Sequence, residues 1–272
     1  MVLVFSHYLL DSQSSQSVLT FVKLMAANTD FTIKSFNCRG YNSTKKTFIS
    51  QLLSECSVLY LQEHWLSDSQ LNILGSIRDD FIGHGVSGFS GGNILAGRPY
   101  GGCAIVWNKC LIGSVVPVDT HSRRIAAVKL VNSEYKLLLV NVYMPYNDGS
   151  EDVYDEYVTE LSNIDLLLST YSDCCPVVGG DFNVDFSRQS RYSELLHEFL
   201  ISHDFNCTQL LSSLCQNIDY TYHFNMSRFS VLDHFLIPSM LNKLITNLCV
   251  CRSVDNTSDH EPLCLGIDLD II

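Results

Sequence analysis

The chain has 272 residues, 46% of them hydrophobic and 17% charged, with no charge blocks and no low-complexity tracts. That balance excludes a largely disordered chain, because enough apolar surface is available to offset the entropy of ordering the backbone. A formal charge of −12 at pH 7 argues against a strongly basic, indiscriminate nucleic-acid binder, whose affinity comes from lysine and arginine neutralising phosphates.

This length is compatible with one α/β domain. Residues 1–29 are expected to be a lead-in, with an extra helix over Val18–Ala27 as the alternative, and residues 30–272 a single domain. The start, MVLVFSHYLL, has no basic flank and no small-residue cleavage site, and no apolar run reaches membrane-spanning length. An intracellular protein of the nucleus or cytoplasm is expected, not a secreted one. Eleven cysteines, odd in number and without a regular framework, fit reduced thiols in such a compartment. Cys174-Cys175 and Cys249-x-Cys251 lack the spacing of zinc ligands and read as incidental thiols.

In chain order, apolar runs predict strands at Thr32–Asn37 and Val58–Glu63, with an amphipathic helix over Lys45–Cys56 between them and another over Asp68–Asp79. Gly83–Gly102 reads as a long surface loop; it has neither of the glycine spacings that cradle nucleotide phosphates. Strands follow at Cys103–Trp107, Arg124–Val131 and Lys136–Tyr143. A helix over Ser150–Thr170 opens with Ser150 as N-cap and Glu151 and Asp152 in its first turn, where carboxylates meet the positive end of the helix dipole. A strand at Pro176–Asp181, a helix at Tyr192–His203, and strands at Tyr220–Phe224, Val231–Ile237, Leu248–Ser253 and Leu263–Ile267 complete an α/β pattern.

Polar residues that are costly to bury stand at the ends of these strands. Asn37 ends TIKSFN, Glu63 ends VLYLQE, Tyr143 ends LLLVNVY, Asp181 and Asn183 close PVVGGDFN, and Asp259-His260 precedes the last strand. Each alone has a plain reading, as an Asx turn, a solvated acid or a capped core tyrosine. If they converge on one edge of a sandwich, they bring oxygen donors suited to Mg²⁺ or Mn²⁺ beside an imidazole suited to phosphate contact or proton transfer. In D-x-N, residues two apart along an extended strand point to the same side.

The ordered series FNCRG, LQEHW, YGGCAIVW, VNVYMP, GGDFN, VLDHFLIP, SDHEPL resembles the endonuclease/exonuclease/phosphatase superfamily over residues 31–269, and LQEHWL and VLDHFLIP look closest to endonuclease domains of LINE-type retrotransposons. The resemblance implies a four-layer sandwich of two packed mixed β-sheets flanked by helices. It implies Mg²⁺-dependent (or Mn²⁺-dependent) nicking of a DNA substrate to 3′-hydroxyl and 5′-phosphate ends, by a monomer with no membrane association. A link to a reverse transcriptase stays open. On the residues, it implies Asn37, Glu63 and Asp259 at the metal and Asp181 activating the water. Asn183 and Tyr143 would hold the phosphate, and His260 would contact it with Asp233 fixing its ring. After VYMP the apurinic-endonuclease pattern has Asn, where this chain has Tyr146 and then Asn147. His234 stands where that pattern often has Tyr and is not among the catalytic candidates. Arg123-Arg124 is the best basic pair, ready for a DNA backbone or for solvent. The alternatives are a phosphatase or RNA-directed phosphodiesterase of the same fold, and an idle binding module.

Overall fold

The computed structural model describes residues 30–89, 99–111, 114–133, 135–208, 211, 215–225 and 227–269. The lead-in and the helix expected over Val18–Ala27 lie outside them.

In chain order the strands are β1 (Asp30–Asn37), β2 (Val58–Gln62), β3 (Phe81–Val86), β4 (Cys103–Asn108), β5 (Val115–Val118), β6 (Ile125–Val131), β7 (Lys136–Tyr143) and β8 (Cys175–Asp181). They continue as β9 (Phe205–Cys207), β10 (Cys215–Gln216), β11 (Tyr222–Phe224), β12 (Arg228–Ser230), β13 (Asp233–Pro238), β14 (Ile245–Val250) and β15 (Leu263–Asp268). The α-helices are α1 (Ser43–Ser54), α2 (Glu151–Thr170) and α3 (Arg191–Ser202). One mixed sheet of seven strands runs β10-β14-β15-β1-β2-β4-β3, and a second of six runs β5-β6-β7-β8-β13-β9.

Strand periodicity assigns each side chain to a layer. Ile33, Tyr60, Ile105, Val128, Leu139, Val177, Phe235 and Leu265 fill the space between the sheets. The alternate residues of the first sheet, such as Phe36, Leu59 and Val106, pack on Phe48, Ile49 and Leu52 of α1. Those of the second, such as Val140, Val178 and Leu236, pack on Tyr157 and Ile164 of α2 and Leu196 of α3. Helix, sheet, sheet and helix thus form four layers, as the resemblance implied. No helix among the described residues is long and apolar enough to cross a membrane.

Ser150 caps α2 by accepting a hydrogen bond from the Val153 N–H at 3.3 Å, with Glu151 and Asp152 in the first turn. Two expectations are corrected. Asp68–Ser76 is a 3₁₀ segment, not an α-helix reaching Asp79. Within the expected loop, Gly83 and Gly85 lie in β3, antiparallel to β4. A Cβ at Gly83 would sit 2.9 Å from Leu74 Cβ, so the glycines let the strand and the 3₁₀ segment touch; periodicity is silent where side chains are absent.

Candidate active site

The inter-sheet face of each strand is occupied by alternate residues, and the same parity carries the polar strand ends inward. Ile33, Ser35 and Asn37 share a face of β1, as Leu139, Asn141 and Tyr143 do on β7. Val177, Gly179 and Asp181 share one on β8, and Asp233, Phe235 and Ile237 on β13. Register then aligns them: Tyr143 pairs with Asp181, and Asp181 with Asp233, in one row across the second sheet. Asn37 ends the facing strand of the first sheet and pairs with Gln62. Two glycines permit the row. A Cβ at Gly179 would meet the Phe235 ring at 2.5 Å, and Gly180 (φ 139°) leaves only 2.0 Å between its ideal Cβ position and the Val142 carbonyl oxygen.

The two sheets are joined here by one amide. Asn37 Nδ2 donates to Glu63 Oε1 at 3.0 Å and to Asp181 Oδ2 at 2.9 Å, while its Oδ1 accepts the Arg39 N–H at 3.0 Å. Glu63 does not reach this point by strand parity. Extended backbone would turn it to the α1 side, but β2 ends at Gln62 and Glu63 adopts φ 51°, in the left-handed region that only a minority of non-glycine residues occupy. Its Oε2 accepts from the Trp65 indole N–H at 3.1 Å, and the Trp65 ring occupies the space that a Cβ on Gly40 would need, at 2.2 Å. His64 is structural. The Leu66 N–H donates to its Nδ1 at 3.0 Å, which leaves Nε2 protonated and donating to the Val86 carbonyl at 3.1 Å. Burial holds that imidazole down at about 4.

Asn183 also arrives by a turn. The strand ends at Asp181, whose Oδ1 accepts the Asn183 N–H at 3.0 Å, and Asn183 has φ 52°. The same-side reasoning for D-x-N on an extended strand is therefore overturned: an Asx turn brings Asn183 round. Its Nδ2 donates one hydrogen to the Met144 carbonyl at 2.9 Å.

His260 lies between two buried carboxylates. Its Nδ1 is 2.9 Å from Asp233 Oδ2, and its Nε2 is 3.8 Å from Asp181 Oδ2. Burial alone would lower the imidazole pKa, but the charges of Asp233 and Asp181 and the hydrogen bond to Asp233 outweigh it and raise it to about 10. Burial raises the Asp181 carboxyl, with Asp233 adding to it and His260 opposing. Burial also raises the Tyr143 phenol, reinforced by Glu63 and Asp181, and the Arg124 guanidinium stands 5.4 Å from that ring.

Several residues that carry no functional reading in the sequence hold this arrangement. Thr221 Oγ1 accepts the N–H groups of Leu232 and Asp233, each at 3.0 Å, and sets the start of β13. Ser258 Oγ donates to the Asn37 carbonyl at 2.8 Å, and Asn256 Nδ2 donates to the His260 carbonyl at 2.7 Å, which shapes the S-D-H loop. Buried Gln62 donates to Ser35 Oγ at 3.0 Å and to Asn141 Oδ1 at 2.5 Å, and Asn141 donates to the Ala104 carbonyl at 2.8 Å. Only Gln62 and Asn141 leave a sign in the sequence, as polar residues inside otherwise apolar strands.

Other residues lie apart. His234 faces the helical side, donating its Nε2–H to the Val184 carbonyl at 2.8 Å and packing on Phe182 and Phe186. Tyr146 is 69% exposed, and Asn147 accepts the Gly149 N–H at 3.0 Å in a loop turn. Arg124 is paired with Glu156 at 2.7 Å, and Arg123 donates to the Ser87 carbonyl at 3.2 Å.

Asp259 forms an ion pair with Arg39 at 2.5 Å, through a guanidinium half in solvent, while its Oδ1 is buried without a hydrogen-bond partner among the described residues. A buried carboxylate oxygen left unpaired is costly. Oxygen donors of this kind suit a hard divalent cation. Among the described residues of this edge, the ligand atoms that converge within 4.8 Å are those of Asp181, Asp233 and His260, and Glu63 and Asp259 stand outside that group.

The family model described as the Endonuclease/Exonuclease/phosphatase family matches residues 35–260. Among solved structures, the AP endonuclease of Leishmania major superposes with a TM-score of 0.70 at 13% identity, covering 88% of each chain. The endonuclease domain of TRAS1, a telomere-specific non-LTR retrotransposon, gives 0.65 at 14% identity, covering 88% of this chain and 99% of that one. A 3′ phosphatase from Neisseria, bound to product DNA hairpin, gives 0.65 at 18% identity with the same coverage. No curated protein sequence matches significantly. With two facing sheets meeting in a carboxylate-rich edge and a family match over most of its length, the chain belongs to the endonuclease/exonuclease/phosphatase family and is a metal-dependent hydrolase of phosphodiester bonds.

Proposed function

We propose that the chain is an endonuclease that nicks DNA, of the kind carried by LINE-type retrotransposons. The observation that carries this reading is the junction of buried Asn37, Asp181, Asp233 and His260 with half-buried Glu63, drawn from both sheets and tied by hydrogen bonds of 2.9–3.0 Å. Glu63 and Asp259, with Asn37 at their edge, would hold one Mg²⁺ or Mn²⁺, an ion that supplies positive charge to the phosphate oxygens.

Asp181 takes a proton from the attacking water; burial raises its basicity towards that task. His260, kept protonated by Asp233, offers its Nε2–H to the phosphate. Asn183 spends one amide hydrogen on the Met144 carbonyl and keeps the other for a phosphoryl oxygen. Tyr143, held neutral by burial, donates its hydroxyl to the phosphate or to the departing oxygen. The new bond forms from water oxygen to phosphorus and the bond to the 3′ oxygen breaks. That oxygen leaves with a proton as a 3′-hydroxyl, and the phosphate stays on the 5′ end.

A polyphosphorylated head group is disfavoured because the Arg123-Arg124 pair is already committed to the Ser87 carbonyl and to Glu156. The test is incubation with supercoiled plasmid, an abasic duplex and inositol phosphates, each with Mg²⁺ and with EDTA. Conversion of supercoiled to open-circular plasmid with Mg²⁺ alone is expected, and Glu63→Gln should raise the Mg²⁺ concentration needed. Undiminished cleavage in EDTA, or turnover confined to inositol phosphates, would refute the reading.

A further inference from the structure

The face of the first sheet turned away from the active site carries a second cluster. Cys264 pairs in register with Cys249 on one side and with Lys34 on the other, and Cys251 lies two residues beyond Cys249 on the same face. The sulfurs of Cys249, Cys251 and Cys264 all lie within 4.8 Å of one another. In the sequence, Cys249-x-Cys251 is one residue short of a zinc-knuckle spacing, and only strand pairing brings in the third sulfur.

We propose that Cys249, Cys251 and Cys264 form a thiolate site for a thiophilic d¹⁰ metal ion of the Zn²⁺ type, with its fourth position open to water or a small ligand. Zn–S bonds of about 2.3 Å hold thiolates about 4 Å apart, so the three sulfurs need only small side-chain adjustments. Sulfur donors without carboxylates select such an ion over Mg²⁺, so the site does not compete with the oxygen-rich edge. Three features of the fold suit a ligand set rather than a packing accident. Cys264 is buried while Cys249 and Cys251 are half-exposed, which leaves an entry path. Asn247 Nδ2 donates to Cys249 Sγ at 3.5 Å, an outer-shell contact to a ligand sulfur. Lys34 is 3% exposed, and its ammonium, paired with Glu55 at 2.6 Å, lies within electrostatic reach of Cys251. Binding releases three thiol protons to solvent and leaves a complex of one negative charge beside the Lys34–Glu55 ion pair.

The test uses the full chain, reduced and stripped of metal, titrated with Co²⁺ alone and then with Zn²⁺. One equivalent of Co²⁺ should give a thiolate-to-metal charge-transfer absorption that Zn²⁺ abolishes. The absorption should be lost in Cys264→Ala and in half-exposed Cys251→Ser, with the fold of each checked by circular dichroism. It should persist in Cys175→Ser and in Glu63→Gln, and Asn247→Ala should weaken Co²⁺ affinity by roughly 10–100-fold. With Zn²⁺ present, mass mapping after alkylation should find Cys249, Cys251 and Cys264 protected together. Absence of the absorption in the wild-type chain, or its survival in a folded Cys251→Ser variant, would overturn the proposal.

Discussion

At the residue scale, the His260–Asp233 pair shows what a buried carboxylate does to an imidazole. Because the folded pKa, about 10, lies above the unfolded value of 6.5, this pair stabilises the fold most at low pH. That contribution is complete below the unfolded pKa and is lost as pH rises through the folded one. Urea unfolding of the metal-free chain should therefore show stability falling on the alkaline side, and Asp233→Asn should flatten the slope. In plasmid nicking, the alkaline limb that reports loss of the His260 proton should move to lower pH in Asp233→Asn, since an amide cannot stabilise the cation. His260→Ala should cost roughly 10²–10⁴ in rate, and the double variant should be no worse, because residues acting as one unit are not additive. Unshifted profiles or additive losses would make Asp233 a strand residue without a part in the chemistry. Trp65→Phe isolates another contact: the ring still packs on Gly40, but Glu63 loses an indole N–H worth about 1 kcal/mol. A rise of roughly fivefold in the Mg²⁺ needed for half-maximal nicking is expected, with the fold intact.

At the scale of elements, the row Tyr143, Asp181, Asp233 exists because β7, β8 and β13 pair in one register. A slip of one residue would send every side chain of a strand to the opposite layer. Gly180 guards that register, since its φ of 139° and the Val142 carbonyl leave no room for a side chain. Gly180→Ala should lower the unfolding free energy by about 2–5 kcal/mol, combining backbone strain with overpacking. A urea midpoint within error of wild type would show that β8 can shift without loss. The inter-sheet hydrogen bonds of Gln62 and Asn141 act in the same sense: they fix one pairing of the two sheets, where apolar contact alone would accept several.

For the whole molecule, the charge of −12 bears on how such a site meets DNA. Counterion release from phosphates requires free cations, and the arginines near the site are largely spent on Asp259, Ser87 and Glu156. Fluorescence anisotropy with random duplex should give a dissociation constant weaker than about micromolar at physiological salt, weakening further as salt rises. Sub-micromolar binding to random sequence would contradict this.

The sequence by itself determined the faces of its strands and the candidates for the site, because both follow from short-range rules, and the four layers followed from the resemblance. A period of two assigns each strand residue to one face, and polar residues at apolar strand ends stand out by the cost of burying them. Asn37, Tyr143 and Asp181 are legible on that ground, while Asp233 enters only through the resemblance carried by the ordered motifs. Tertiary structure alone decided the rest. Glu63 and Asn183 join the site through left-handed backbone at single residues, a choice that no apolar period records. Thr221, Ser258, Gln62 and Arg39 acquire roles only when strands distant in sequence are set side by side. Cys264 likewise meets Cys249 and Cys251 only through the pairing of β14 with β15. Pairing partners are selected by the burial of the whole sheet, and that is a property of all the strands together.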